Sequence, residues 1–385
     1  WRKLTSLSRQ TKQLCTFTPN LAPINYQRSL TCLLVLFLFV AGFSHAQTKV
    51  ENVILITLDG MRWQEVFTGA DSILINSKEY VEDMQGLKER FWKPTAMERR
   101  QTLMPFLWSV VEKNGAIYGN RKMDSYVNCS NTMWFSYPGY NEILSGYADD
   151  ARITSNDKIN NPNTTVLEFL NSQSKFKGSV AAFGSWDVFP FIINESRSGI
   201  PVNAGFEPAT GSNLTTRELF LNQLQNQIPS PWGSVRLDAF THHYAMEHMK
   251  KNKPKVAYIA YGATDDFAHN GKYDSYLKSA WQTDQFIKAI WDWVQSDSHY
   301  RNRTTLLITT DHGRGVLDAW RDHGSKVQGA NEIWFAALGA GVSAIGEAKG
   351  SEQLYQNQVA GTLAALLGFK FSQDGKAGAP IRLTK

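Results

Sequence analysis

Three apolar runs in this chain each end in aspartate, and this repeated pattern limits the possible folds more than any other feature. The runs are "VILITLDG" (53–60), "VAYIAYGATDD" (256–266) and "TTLLITTDHG" (304–313). Continuous apolar runs of this kind are typical of parallel strands that helices cover on both faces. Because the carboxyl ends of parallel strands lie along one edge of a sheet, we expect the three aspartates to lie close together.

Other segments extend the same pattern. "SVAAFGSW" (179–186) and "EIWFAALG" (332–339) also have the composition of buried strands. Between the strands, residues 274–296 place apolar side chains on one face of an amphipathic helix. Alternation of strands and helices over this length predicts an α/β fold, a three-layer sandwich with a largely parallel central sheet.

Two segments depart from this alternation. Residues 63–105 are charged and aromatic, and residues 186–235 are rich in Asn, Pro, Gly and Ser. We predict that both are insertions at the rim of the sheet, where substrate-selecting loops usually lie. The histidine-rich segment "THHYAMEHMKK" (241–251) could suggest a metal site, but a surface amphipathic helix is the favoured prediction.

Composition places the chain among globular proteins and excludes a basic nucleic-acid-binding domain. The chain has 385 residues, of which 42% are hydrophobic, and its net charge is +5. Five basic residues and no acidic ones lie in the first 46 positions, so the rest carries 35 residues of each sign. The positive charge therefore gives no reason to expect a nucleic-acid partner.

The first 46 residues have the features of a secretory leader. Arg28 precedes the apolar run "SLTCLLVLFLFVAGF", which is followed by a small-residue cleavage site that ends at Ala46. This pattern predicts a signal peptide, a mature domain of residues 47–385, a periplasmic or secreted location and no stable membrane partner after cleavage. An uncleaved N-terminal anchor is the alternative. Of the three cysteines only Cys129 would remain, which excludes an internal disulfide.

Histidines accompany the strand-end aspartates. His312 follows Asp311 directly, and His269 lies four residues after Asp265, on the same face if that segment is helical. Carboxylates crowded together repel one another unless protons or a cation intervene. With His323 and Asp59 added, the set has the oxygen and nitrogen donors that suit zinc, and also manganese or iron. Asp266 could replace Asp265, and helix capping is the alternative role for each aspartate.

A serine lies ahead of a short helical pattern in "FSYPGYNEILSG" (135–146). Pro138 suits a first helical turn, so Ser136 would lie at a helix N-terminus. There the free N–H groups favour an anionic group. Ser136 is therefore either an exposed turn residue or, as we favour, a nucleophile. The next candidates are Ser130, Thr132 and Ser145.

The order of these elements resembles that of the alkaline phosphatase superfamily, with greatest similarity to the nucleotide pyrophosphatase/phosphodiesterase and cofactor-independent phosphoglycerate mutase branches. The resemblance covers roughly residues 50–385. It implies two divalent metal ions, zinc or else manganese or iron. The implied ligands are, for one metal, Asp59, Ser136, Asp311 and His312, and for the other, Asp265, His269 and His323.

The resemblance also implies an activity. It predicts a secreted hydrolase that cleaves small-molecule phosphate esters through a phosphoserine at Ser136, with phosphodiester or nucleotide-like substrates slightly favoured over monoesters. Asn156, or Asn160 in its place, would contact a phosphoryl oxygen. Lys158 and Arg314 are further possible phosphate contacts, although exposed, solvated side chains are the expectation for both.

Several alternatives remain open at the level of sequence. A phosphomutase is disfavoured by the export signal. A sulfatase is disfavoured because Tyr140 stands where sulfatases have an arginine, and Cys129 lies seven residues before the nucleophile position. A non-catalytic periplasmic binding protein and a membrane-anchored transferase are further alternatives.

Overall fold

The computed structural model describes residues 49–350 and 352–384. Most strands form one large sheet, and three short ones form a separate small sheet. The strands are β1 Asn52–Leu58, β2 Gly115–Tyr118, β3 Val127–Asn128, β4 Val180–Gly184, β5 Val202–Ala204, β6 Val256–Tyr261, β7 Thr304–Thr309, β8 Glu332–Ile333, β9 Phe335–Gly339, β10 Gly346–Glu347 and β11 Leu354–Tyr355.

The large sheet has the order β10-β2-β9-β7-β1-β6-β4-β5. The central strand β1 pairs in parallel with β6 and β7, and β4 pairs in parallel with β6 and β5. Strand β9 is antiparallel to both β7 and β2. The prediction of a largely parallel central sheet is therefore confirmed.

Helices cover both faces of this sheet. The α-helices are α1 Trp63–Thr68, α2 Met84–Phe91, α3 Ala96–Leu103, α4 Glu112–Asn114, α5 Ser136–Ser145, α6 Val166–Ser172, α7 Phe189–Ile192, α8 Glu195–Ser198, α9 Thr216–Gln227, α10 Asp238–Asn252, α11 Ala263–His269, α12 Tyr273–Ser296 and α13 Gln358–Leu366. A π-helix spans Leu107–Val111, and short 3₁₀ helices span Leu74–Asn76, Arg121–Met123, Leu317–Arg321 and Gln373–Gly375.

Alternate side chains of β1 enter two separate hydrophobic cores. Ile54 and Ile56 belong to the core that includes α12, whereas Val53 and Leu55 belong to the core that includes α5 and α13. Because successive side chains of a strand point to opposite faces, a strand buried in two cores requires a layer on each side. This arrangement confirms the α/β three-layer sandwich.

The two segments predicted as rim insertions contribute to the body of the domain. Helices α1–α3 lie within residues 63–105, and Val66, Phe67 and Phe91 are buried in the core beside α12. Residues 186–235 include β5, the edge strand of the sheet, as well as α7–α9. Apolar side chains of these segments therefore pack within the domain, in addition to any role that the segments have at the rim of the sheet.

The helix predicted over residues 241–251 is present as part of α10, but its predicted surface location was wrong, because most of these residues are buried. His242 stacks on Phe286 with ring centroids 4.2 Å apart, and its Nδ1 lies 3.1 Å from the Tyr261 hydroxyl. Burial lowers the pKa of His242 to about 3, so its imidazole is neutral. Within residues 49–350 and 352–384, this helix belongs to neither cluster that could hold a metal ion.

The predicted leader, residues 1–46, lies outside the described residues. In the described part of the chain, no helix has the length and hydropathy needed to cross a bilayer.

Helix α12 provides a test of the core. Leu277 on α12 is fully buried, whereas Leu219 on α9 is 55% exposed. We expect Leu277→Ala to lower the free energy of unfolding by about 2–5 kcal/mol, because the truncation removes buried methyl groups and leaves a cavity. Leu219→Ala, the matched control, should change it by less than about 0.5 kcal/mol. Urea denaturation measures both, and equal losses would contradict the assignment of the core.

Candidate active site

The three strand-end aspartates lie together at the carboxyl edge of the sheet. Asp59 is buried directly after β1, Asp311 is buried two residues after the end of β7, and Asp265 lies in the first turn of α11 after β6. Gly60 makes this approach possible. Its N–H donates to Asp311 Oδ1 over 3.0 Å, its φ is +58°, and a Cβ there would lie 2.7 Å from Asp265 Oδ1. The glycine that follows Asp59 is therefore a requirement of the site.

The residues predicted for the first metal converge on His312. The His312 Nε2 atom lies 3.4 Å from Asp59 Oδ1, 3.5 Å from Asp311 Oδ2 and 3.4 Å from Ser136 Oγ. Asp59, Asp311 and His312 form a group with the spacing of metal ligands. The structure thus brings together all four residues, while their binding of a metal stays a prediction.

The residues predicted for the second metal lie beside the first group. In α11, Asp265 Oδ2 lies 3.2 Å from His269 Nε2, as the four-residue spacing predicted. His269 Nε2 lies 2.9 Å from His323 Nε2, and Asp265, His312 and His323 form a second group with metal-ligand spacing. Asp265, not its neighbour Asp266, belongs to that group.

Burial and like charge make this edge electrostatically unfavourable without a cation. Burial and the charge of Asp265 raise the pKa of Asp59 well above its usual range, and burial and the charge of Asp59 do the same for Asp311. Burial and the neighbouring His312 lower the pKa of His323 to about 2. A neutral imidazole is the form of histidine that binds a metal.

Unpaired buried atoms test whether a divalent cation fits these residues. Among the residues that the structure describes, Asp59 Oδ1 and Asp311 Oδ2 are buried without a hydrogen-bond partner, and both face His312 Nε2. Buried polar atoms in proteins almost always have a partner, so orphaned carboxylate oxygens require an explanation. Two such oxygens beside an imidazole nitrogen are the donor set that zinc prefers. The first group therefore fits a divalent cation.

Arg314 was expected to be an exposed side chain, and this expectation was wrong. Its side chain is buried, and its guanidinium donates to the carboxylate of Asp265 and to the carbonyl of Arg321. Burial opposes the charge on Asp265, but Arg314 and His269 outweigh it and hold the pKa of Asp265 well below its usual range. Arg314 therefore keeps this carboxylate ionised.

Lys158, the other residue expected to be exposed, has a half-exposed side chain that pairs with Asp187 over 2.7 Å.

The helix α5 begins at Ser136, with Pro138 in its first turn, as the sequence predicted. Gly139, in the same turn, packs against the backbone of Asp311: a Cβ there would lie 2.3 Å from the Asp311 carbonyl oxygen. The first turn of α5 therefore lies directly against the strand end that carries Asp311 and His312.

Tyr140 links the same helix to the first group. Its hydroxyl donates to Asp59 Oδ2 over 2.8 Å, inside the buried site. In the sequence, Tyr140 is notable only because it occupies the position at which sulfatases have an arginine. The structure shows that it orients Asp59 and leaves Oδ1 of that carboxylate as the unpaired oxygen.

Asn156 lies beside the nucleophile position. Its Oδ1 accepts from the N–H of Tyr137 over 3.0 Å, so it contacts the first turn of α5. Asn160 lies elsewhere, with its Nδ2 3.5 Å from Ser196 Oγ.

The remaining candidate nucleophiles are not brought to His312: Thr132 Oγ1 donates to Asp150 and Ser145 Oγ to the carbonyl of Tyr147. Within the described residues, Ser130 Oγ is buried without a hydrogen-bond partner, so it makes no bond to His312.

Several supporting residues were missed from sequence. Asp238 accepts from the N–H groups of Gly262 and Ala263 and so caps the start of α11. Thr264 donates to the carbonyl of Asp59, and Gln356 Nε2 donates to the carbonyl of Asp311 over 2.6 Å. None belongs to a short motif, so the sequence offers no signal for them. Cys129 is buried, with Sγ 3.6 Å from the carbonyl of Asp311.

Tyr140→Phe tests the orienting hydrogen bond. We expect the variant to bind zinc about 10- to 100-fold more weakly, since partners that orient ligating carboxylates usually contribute that much affinity. Isothermal titration with zinc measures this change. Tyr300→Phe is the matched control, because the Tyr300 hydroxyl donates to the carbonyl of Pro254. Equal zinc affinity in the Tyr140 variant and the wild type would contradict the assigned role.

Gly139→Ala tests the close contact between α5 and Asp311. The added methyl group meets backbone atoms that cannot move without displacing the strand end, so we expect a loss of about 1–3 kcal/mol in the free energy of unfolding. Gly233→Ala is the control, since no atom lies within 4 Å of a Cβ there. If calorimetry shows no difference between the two variants, the packing of α5 on Asp311 is wrong.

Comparisons with known proteins identify the fold. No protein-family profile and no curated protein match the sequence. Alkaline phosphatase PafA matches with a TM-score of 0.57 at 11% identity, over 88% of this chain and 99% of PafA. A 2-O GAG sulfatase matches with 0.53 at 14%, over 86% and 73% of the two chains. The lipoteichoic acid synthase LtaP from Listeria monocytogenes matches with 0.52 at 12%, over 87% and 76%. The chain therefore has the fold of the alkaline phosphatase superfamily.

Proposed function

We propose that this chain is a metal-dependent phosphoric ester hydrolase with Ser136 as its nucleophile. One observation carries the proposal. The Ser136 hydroxyl, the His312 imidazole and the unpaired carboxylate oxygens of Asp59 and Asp311 converge at the start of a helix. A serine that only forms a turn would have no reason to lie among these groups.

The two sets of ligands that the resemblance implies would hold two divalent ions. Asp59, Ser136, Asp311 and His312 would bind one, and Asp265, His269 and His323 the other. Mixed carboxylate and imidazole donors favour zinc and also accept manganese or iron. When bound, such ions lower the pKa of a coordinated hydroxyl and stabilise the charge on a transferring phosphoryl group.

The protein's own groups position the reaction. Ser136 lies at the N-terminus of α5, where the positive end of the helix dipole favours an anionic phosphoryl group. Ser136 Oγ, having released its proton to solvent, forms a bond to phosphorus as the bond from phosphorus to the leaving alkoxide breaks. The alkoxide takes a proton from water. A water oxygen then attacks phosphorus as the bond from phosphorus to Oγ breaks, and one proton of this water passes to Oγ, which restores the serine hydroxyl.

The substrate is a small-molecule phosphate ester, with phosphodiesters or nucleotide-like esters slightly favoured over monoesters. Asn156, which contacts the first turn of α5, is the residue we propose for contact with a phosphoryl oxygen. The leader predicted in residues 1–46 supports a periplasmic or secreted location. Balanced charge in the rest of the chain supports a substrate other than nucleic acid.

Sulfate ester hydrolysis is the second candidate, because a 2-O GAG sulfatase matches the fold nearly as well as PafA does. A sulfatase nucleophile is a modified cysteine or serine supported by an arginine four residues later in the motif. Here Tyr140 occupies that position and donates to Asp59. Because a tyrosine that contacts Asp59 replaces the arginine of the sulfatase motif, phosphate is favoured over sulfate as the group transferred.

Initial rates with the full chain test the proposal. We would supply zinc, and separately manganese, and compare aryl phosphate monoester, aryl phosphate diester and aryl sulfate. We expect phosphate ester turnover that a chelator abolishes. Ser136→Ala should lower kcat by about 10³-fold or more, since the nucleophile is lost.

Ser145→Ala, at the other end of the same helix, is the matched control and should retain activity. Turnover of the aryl sulfate alone would establish the second candidate. Equal turnover by Ser136→Ala and the wild type would contradict the assigned nucleophile.

A further inference from the structure

A buried carboxylate outside the metal-ligand groups holds the loop that leads into Ser136. Glu142 lies on α5, six residues after Ser136, and is fully buried. Its two oxygens accept from the N–H of Ser130 over 2.8 Å, the N–H of Asn131 over 2.8 Å and Asn131 Nδ2 over 2.7 Å. Three donors from two consecutive residues converge on these two oxygens, so the loop is attached to the helix at this point.

Asn131 extends the attachment toward the nucleophile. Its Oδ1 accepts from the N–H groups of Met133 over 3.1 Å and Trp134 over 2.9 Å. Trp134 has a φ of +53°, a left-handed conformation that is unfavourable for a bulky side chain and persists only where the surroundings enforce it. The chain path into Ser136, two residues later, is therefore imposed by hydrogen bonds from the loop.

The same network reaches the metal-ligand groups. Asn131 Nδ2 lies 3.5 Å from Gln356 Oε1, and Gln356 Nε2 donates to the carbonyls of Thr310 and Asp311 over 3.1 and 2.6 Å. Glu142 is thus connected through Asn131 to both sides of the contact between Ser136 and His312. The hydrogen bonds of the Glu142 carboxylate all come from Ser130 and Asn131, so it does not take part in the chemistry directly.

We infer that Glu142 is a positioning residue for Ser136. Its carboxylate fixes the loop 130–134, and the loop in turn sets the place of the Ser136 hydroxyl relative to His312. This inference rests on the proposed role of Ser136 as the nucleophile. In Glu142→Gln, an amide NH₂ replaces one acceptor oxygen and faces backbone N–H groups that have no other acceptor in the network, so the loop loses its attachment.

Single-turnover kinetics with the full chain, zinc and an aryl phosphate diester test the inference. With enzyme at saturating excess, the rate constant for aryl alcohol release does not depend on the fraction of enzyme that is folded. We expect Glu142→Gln to lower this rate constant about 10- to 100-fold, as small displacements of a reacting group do. Zinc affinity should stay within about twofold of the wild type, because the ligands are unchanged.

Asp284→Asn is the matched control. Asp284 is a buried carboxylate that accepts from the N–H groups of Phe106 and Leu107 over 2.8 and 2.9 Å, and neither group touches the metal ligands. We expect this variant to be less stable but to release aryl alcohol at the wild-type rate constant. Hydrogen exchange at the amides of Asn131, Met133 and Trp134 should accelerate in Glu142→Gln alone.

The outcomes separate this inference from the proposed function. A wild type that releases no aryl alcohol from the diester or from the corresponding monoester, or a Ser136→Ala variant that releases it at the wild-type rate constant, overturns both. An active wild type with an unchanged rate constant in Glu142→Gln overturns only the positioning role. So does an equal loss of rate constant in Glu142→Gln and Asp284→Asn, because the effect would then reflect general destabilisation.

Discussion

Mutual repulsion among three aspartates at one sheet edge is the constraint on which the rest of this structure depends. Parallel pairing places the end of β1 beside the ends of β6 and β7, with Leu58 opposite Tyr261 and Thr57 opposite Thr309. The carboxylates that follow these strands cannot move apart without disrupting the central sheet. Burial then makes their charges unfavourable, which raises the pKa of Asp59 and Asp311. A site that keeps such a cluster must supply a cation or protons, and the unpaired oxygens favour a cation.

The surrounding contacts orient this cluster. Tyr140 donates to Asp59, the N–H of Gly60 donates to Asp311, and Arg314 donates to Asp265, so each aspartate has one assigned partner. Helix α5 supplies both Tyr140 and Ser136, and its first turn packs on Asp311. Ser136 and the aspartate cluster are therefore parts of one packed unit, in which a displacement of α5 would move Ser136 and Asp59 together.

The sequence predicted the elements whose signals are local. Continuous apolar runs indicated β1, β4, β6, β7 and β9, and the amphipathic pattern of residues 274–296 indicated α12, which spans Tyr273–Ser296. Strands β2 and β5 were missed because four and three residues carry too short a pattern. Arg314 was expected to be exposed, and Glu142 was missed, for a different reason: charged side chains are usually exposed, and only tertiary contacts show that these two are buried. Helix α10 was predicted to lie at the surface because its many polar residues gave no indication that it packs against the sheet.

Anomalous diffraction at the zinc absorption edge, from crystals of the full chain grown with zinc, tests the central claim most directly. The account predicts two anomalous peaks. Asp59, Asp311, His312 and Ser136 would surround one peak, and Asp265, His269 and His323 the other. Peaks elsewhere in the molecule with none at this sheet edge would contradict the account, because the unpaired carboxylate oxygens would then be explained by protons rather than by a metal.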